Sequence, residues 1–85
     1  MINLKVKLFA AHRQLLGKRE VDLQVAEGAT IMDVWRAMKD HHPQLAHLSD
    51  TLVAARNHDY AALDTKVSDG DEIAFIPPVS GGTHV

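Results

Sequence analysis

At 85 residues the chain is expected to form one small domain, with surface enough to bury only a thin core. A balance of 9 lysines and arginines against 11 aspartates and glutamates argues against a nucleic-acid binder, and the lack of cysteine removes disulfides, thiolate metal sites and cysteine nucleophiles together. No apolar run approaches the roughly 20 residues of a membrane span, and Met1-Ile2-Asn3-Leu4-Lys5 has no signal-peptide layout, so a soluble cytoplasmic protein is expected.

The first segment alternates. Ile2, Leu4, Val6 and Leu8 fall to one side and Asn3, Lys5 and Lys7 to the other, the period of a half-buried strand. Residues 10–16 read as a short, weakly helical stretch that Gly17 stops. Val21, Leu23 and Val25 then alternate with Glu20, Asp22 and Gln24, a second strand that can return antiparallel to the first. After the Glu27-Gly28 turn comes the strongest helix signal: Thr30 can cap, with Asp33 at the capping-box position. Ile31, Val34, Trp35 and Met38 follow at helical spacing on one stripe, opposite Arg36, Lys39 and Asp40. The helix runs to about His41, and Pro43 ends it.

Residues 44–51 read as irregular with room for a helical turn, and residues 52–57 as a third strand whose Ala54-Ala55 makes propensity a poor guide. Asn57-His58-Asp59 is turn-like, Asp69-Gly70-Asp71 more strongly so. Residues 72–76 form a compact last strand, which Pro77-Pro78 closes because neither residue can donate to a ladder. Strand, strand, helix and then two or more strands predict an α+β domain of the β-grasp (ubiquitin-like) kind. One main helix covers one face of a mixed sheet, and the first and last strands run parallel at its centre. Residues 1–76 make up that domain, and residues 77–85 a flexible tail.

The tail reads Pro-Pro-Val-Ser-Gly-Gly-Thr-His-Val and offers little to pack. Extended, about nine residues reach roughly 30 Å. Gly81-Gly82 has no Cβ to obstruct a narrow channel. The residues alone fit either a carrier arm or a frayed end with two incidental glycines.

The stretch Asp69-Gly70-Asp71-Glu72-Ile73-Ala74-Phe75-Ile76-Pro77-Pro78-Val79-Ser80-Gly81-Gly82 resembles the C-terminal signature of the MoaD/ThiS-type ubiquitin-like sulfur carriers, most nearly the small subunit of molybdopterin synthase. Leu8-Phe9-Ala10 with Arg13 and Leu16-Gly17, and Glu27-Gly28-Ala29-Thr30 before the main helix, are similar to the same family. The resemblance implies a non-catalytic carrier with no tightly bound cofactor. An E1-like adenylating enzyme uses ATP to activate the terminal glycine, which becomes a thiocarboxylate. The large subunit of molybdopterin synthase then receives the sulfur for a pterin precursor of the molybdenum cofactor. Within the same likeness stand a ubiquitin-like modifier, a carrier serving thiolated tRNA, a siderophore or cysteine, and a β-grasp interaction module without C-terminal chemistry.

Two departures from the family pattern matter. Members that act directly end at the second glycine, whereas here Thr83-His84-Val85 follow Gly82. Either a processing metalloprotease cuts after Gly82, or this chain works without a thiocarboxylate. Arg56 stands where the family has an apolar strand residue, and reads as a surface substitution or as a change of partner preference.

The other candidates have simpler explanations. His12, His41, His42, His47, His58 and His84 lack metal-ligand spacing and are expected at the surface, with His41-His42 suited as imidazolium to a helix C-terminus. Asp69 and Asp71 flank a turn glycine, Ser80 has no triad partner, and Trp35 and Met38 belong to the core. Phe9 and Ile76 fall out of phase with Leu8 and Phe75 and so point away from the helix-covered face. By themselves these residues fit either scattered surface hydrophobics or an interface; with the resemblance, and joined by Tyr60 and by Pro77, Pro78 and Val79 at the tail root, they are the expected docking surface for the large subunit and the E1-like enzyme.

Overall fold

The computed structural model describes residues 1–77. Its elements run β1 (Ile2–Leu8), α1 (Ala10–Leu16), β2 (Glu20–Val25), α2 (Ile31–His41), a single 3-10 turn (Pro43–Leu45), β3 (Val53–Arg56), β4 (Asp59–Ala61) and β5 (Glu72–Ile76). The tail beyond Pro77 lies outside the described residues.

The five strands form one sheet in the order β2-β1-β5-β3-β4. β1 and β5 are parallel at the centre, with Val6 opposite Ile73 and Leu8 opposite Phe75, and all other pairings are antiparallel. This is the expected β-grasp arrangement. The alternation of β1 explains it, because Ile2, Leu4, Val6 and Leu8 are all buried and must share one face with a cover. α2 supplies that cover through Ile31, Val34, Trp35 and Met38, each fully buried. Trp35 packs on Phe75 at 5.1 Å between ring centroids, joining helix to sheet at the centre of the core.

The ends of α2 are satisfied locally. Thr30 Oγ1 accepts from the Asp33 amide at 3.2 Å, and Asp33 Oδ2 accepts from the Thr30 amide at 3.0 Å, the reciprocal pair expected of a capping box. The amides of Ile31 and Met32, free in any first turn, donate to the carbonyls of Thr65 and Leu63. These bonds hold the segment between β4 and β5 against the helix. Trp35 Nε1 donates to Asp50 at 3.0 Å, and Lys39 Nζ donates to Asp50 at 3.0 Å and to the Leu48 carbonyl at 2.7 Å, fastening the irregular segment after the 3-10 turn.

Glycine is required by the backbone where α1 ends and where β5 begins. Gly17 ends α1 at φ +78° and Gly70 turns the chain into β5 at φ +84°, both in the left-handed region. Asn57 (φ +51°) and His58 (φ +76°) form the two-residue hairpin turn between β3 and β4; asparagine tolerates this geometry well. β4 is short and lies beyond the strands named from sequence, because Tyr60 and its neighbours lack a clear alternation.

Two expectations fail. His12 is not a surface histidine: only 4% of it is exposed, and its ring lies 5.0 Å from that of Trp35. Helical periodicity over so short a segment cannot tell a buried position from an exposed one. Arg56 is not a plain surface substitution. It pairs in register with the buried Ile73 and therefore faces the covered side of the sheet, where Nε donates to Asp71 Oδ2 at 2.6 Å. Asp71, 7% exposed, also accepts from Asn57 Nδ2 at 3.0 Å and the Ser68 amide at 2.7 Å. Turn chemistry explains Asp69, whose carboxylate accepts the Asn3 amide at 2.7 Å, but Asp71 is a buried counter-ion that the sequence did not announce.

Candidate functional site

The face of the sheet that α2 leaves open carries the side chains of alternate residues: Lys5, Lys7, Glu72, Ala74, Ile76, Val53, Ala55 and Tyr60 among them. Register then places these in rows. One row runs Lys7, Ala74, Ala55, Tyr60 across four strands. The next pairs Ile76 with Val53, beside Phe9 at the end of β1. Because Ala74 and Ala55 have only a methyl group, the middle of the first row is low and its flanks are high.

The result is a shallow depression of about 290 Å³ with alanines for a floor. Phe9, 42% exposed, and half-buried Ile76 border one end, and Tyr60, 81% exposed, forms a wall. The other end is polar. Glu72 Oε2 lies 3.5 Å from Lys7 Nζ and 3.5 Å from His58 Nε2. The structure thus brings Phe9 and Ile76 together, as the phase of these two residues predicts, and adds Tyr60 from β4, with half-buried Pro77 following at the exit of β5. Pro78, Val79, Gly81 and Gly82 were also named as site residues, and they lie outside the described residues together with Thr83-His84-Val85.

Sequence reasoning missed Val53, Ala55 and Ala74. Val53 is exposed, and the period-2 pattern of β3 would have set Val53 and Ala55 on one face had the strand's phase been known. The alanines carry no signal of their own, because a residue that matters by being small looks like filler.

The depression thus combines apolar borders, an alanine floor and one ionic end. Among the described residues no group of three or more His, Cys, Asp or Glu side chains is placed to hold a metal ion. His42, at the end of α2, departs from the expectation of an imidazolium there. Burial, and then the charges of Lys18 and His41, lower the pKa of His42, which favours its neutral form. No helix among the described residues is long and apolar enough to cross a membrane.

Known proteins share this architecture. The ThiS family model matches residues 6–82. The molybdopterin synthase sulfur carrier subunit of Chlamydomonas reinhardtii is 36% identical over 83 residues, covering 95% of this chain and 100% of that one. Small archaeal modifier protein 1 of Haloferax volcanii is 38% identical over 84 residues, 89% of this chain and 97% of its own length. A crystal structure of that archaeal protein superposes with a TM-score of 0.82 at 33% identity, covering 93% of this chain and all of the other.

Proposed function

The chain belongs to the ThiS family, and on that premise we propose that it is a sulfur carrier acting as the small subunit of molybdopterin synthase. The observation that carries the reading is the span of the family match, which ends at Gly82, three residues before the last residue of the sequence. The relatives named as sulfur carrier subunits of that synthase support the choice of pathway.

In this reading a metalloprotease removes Thr83-His84-Val85 and frees the Gly82 carboxylate. A carboxylate is a poor electrophile. An E1-like enzyme therefore joins it to the adenylyl group of ATP with release of pyrophosphate, and sulfide displaces AMP to leave a thiocarboxylate. The glycyl carbon has no branch to hinder that attack, and Gly81-Gly82 passes where a side chain would not. The large subunit and the E1-like enzyme use the same open face, with Phe9, Tyr60 and Ile76 as apolar contacts and Pro77, Pro78 and Val79 as further contact residues. The chain contributes the acyl end, and its partners contribute the catalytic groups.

A second reading is favoured by the archaeal relative, whose name is that of a protein modifier. There Gly82 would form isopeptide bonds with lysines. Intact mass measurement of protein from its native cells separates the readings. A carrier ends at Gly82 with one oxygen replaced by sulfur, whereas a modifier is found joined through Gly82 to target lysines, which after trypsin keep the whole stretch from Val67 to Gly82. A chain retaining Thr83-His84-Val85 throughout, with neither product, would overturn both.

A further inference from the structure

We infer that His12 is a positioning residue for the docking face: its neutral ring pins α1 against α2 and β5, which fixes Phe9, and uptake of a proton releases α1 and the patch with it. The release of α1 stands on its own, whereas its consequence for docking rests on the function proposed above.

α1 has little to hold it except its packing. It is seven residues long, its N-cap is Phe9, which makes no side-chain cap, and its first turn contains no acid. A helix that short is not stable by itself. The chain enters it through Ala10 at φ +48°, a left-handed geometry that alanine resists. Only two side chains of α1 are buried, His12 and Leu16. One of the two anchors is therefore ionisable.

The setting of the ring suits the neutral form. It lies against Trp35 of α2, and its Nδ1 is buried with no hydrogen-bond partner among the described residues. The charged and titratable residues of the neighbouring elements are Arg13 on α1 itself, Asp33, Arg36, Lys39, Asp40 and His41 on α2, His42 leading into the 3-10 turn, and Glu72 on β5. Burial is the main influence and lowers its pKa, and the Phe75 backbone carbonyl, which favours the charged ring, offsets part of that. An imidazolium here would have one carbonyl to bond and a second N–H with nothing to receive it.

Position turns this into a device. His12 lies three residues after Phe9, whose carbonyl accepts the His12 amide at 3.1 Å, so α1 and Phe9 move together. Phe75 immediately precedes Ile76, the other apolar border of the depression. When α1 opens, His12 returns to the ordinary histidine value near 6.5. Below that pH the open form takes up the proton first, so opening is favoured as pH falls; above it the closed form keeps its full advantage.

Hydrogen exchange followed by NMR on the whole chain tests the idea. Corrected for intrinsic rates, protection of the α1 amides is expected to fall by up to about tenfold per pH unit below roughly pH 6.5, while β1 and β5 stay unchanged. His12→Phe keeps a ring on Trp35 without a titrating proton and should flatten the profile. His12→Gln, which also does not titrate and keeps a donor for the Phe75 carbonyl, serves if the first variant folds poorly. Binding to the large subunit of molybdopterin synthase should weaken in step with α1 protection in the wild type and not in the variants. A wild-type α1 profile without pH dependence, or the same dependence in a folded variant, would overturn the inference. So would α1 opening with docking unaffected. Absence of docking at every pH would refute the proposed function, and the exchange data would still decide the release of α1.

Discussion

Replacing Asp71 by alanine is expected to cost the fold about 3 kcal/mol, a large share of the roughly 5–10 kcal/mol available to a domain of this size. The buried carboxylate accepts from Arg56 Nε (2.6 Å), Asn57 Nδ2 (3.0 Å) and the Ser68 amide (2.7 Å), with Arg56 Nη2 at a long 3.5 Å. Alanine leaves the Ser68 amide without its acceptor and Arg56 without its counter-ion. Asn57 is exposed and can turn to solvent. A hydrogen bond to a charged group is worth about 1.5–3 kcal/mol. The Arg56 side chain is still 35% exposed, so solvent screening sets its share at the low end; two losses of about 1.5 kcal/mol each make up the sum. Urea titration followed by circular dichroism would measure it, and the melting temperature should fall by roughly 12–24 °C. In a cycle with Arg56→Val, the residues should couple by about 1 kcal/mol or more. Burial by itself would raise the pKa of Asp71, but the bonds from Arg56, Asn57 and the Ser68 amide outweigh it and hold it below the ordinary value. The contribution is therefore present at neutral pH and lost as pH falls below about 4, and the alanine variant should lack that part of the acid profile. Additive effects, with coupling under about 0.3 kcal/mol, would refute the account of the pair.

The docking face gives two further expectations. Phe9→Asp should weaken binding to the large subunit by about 30-fold or more while shifting stability by less than about 1 kcal/mol, since Phe9 is already partly in solvent. Ala74→Arg should fill the floor of the depression with a similar effect on binding, and unchanged affinity in both variants would remove this face as the interface. At the head of α2, Thr30→Ala should cost about 1 kcal/mol in urea titration through loss of the Asp33 amide's acceptor. The Thr30 amide and then its hydroxyl lower the pKa of Asp33, so the box is intact at neutral pH and weakens as the solution is acidified through the carboxylate range. A variant as stable as the parent would show that the cap is idle.

Local rules were readable wherever period and capping agreed. The strict alternation of Ile2, Leu4, Val6 and Leu8, the stripe of Ile31, Val34, Trp35 and Met38, and the Thr30–Asp33 pair each specify an element and its buried face from neighbours in sequence. The phase of Phe9 and Ile76 followed from the same rule, which is why their place on the open face of the sheet could be named in advance. The tail motif was legible as a resemblance, for it depends on residue identity and not on packing.

Tertiary structure alone decided what depends on residues far apart in the chain. Arg56 and Asp71 are 15 positions apart, and nothing in either local segment predicts that β3 and β5 will pair and bury one against the other. His12 has no periodic signature in seven residues; it is buried because Trp35 and β5 close over it. Ala55 and Ala74 become the floor of a depression only once register aligns them between Lys7 and Tyr60. The sequence by itself determined which elements form and which of their faces are apolar, since backbone periodicity and capping are properties of adjacent residues. The pairing of buried charges, the setting of an ionisable ring and the shape of the open face were settled by strand order, which no local pattern encodes.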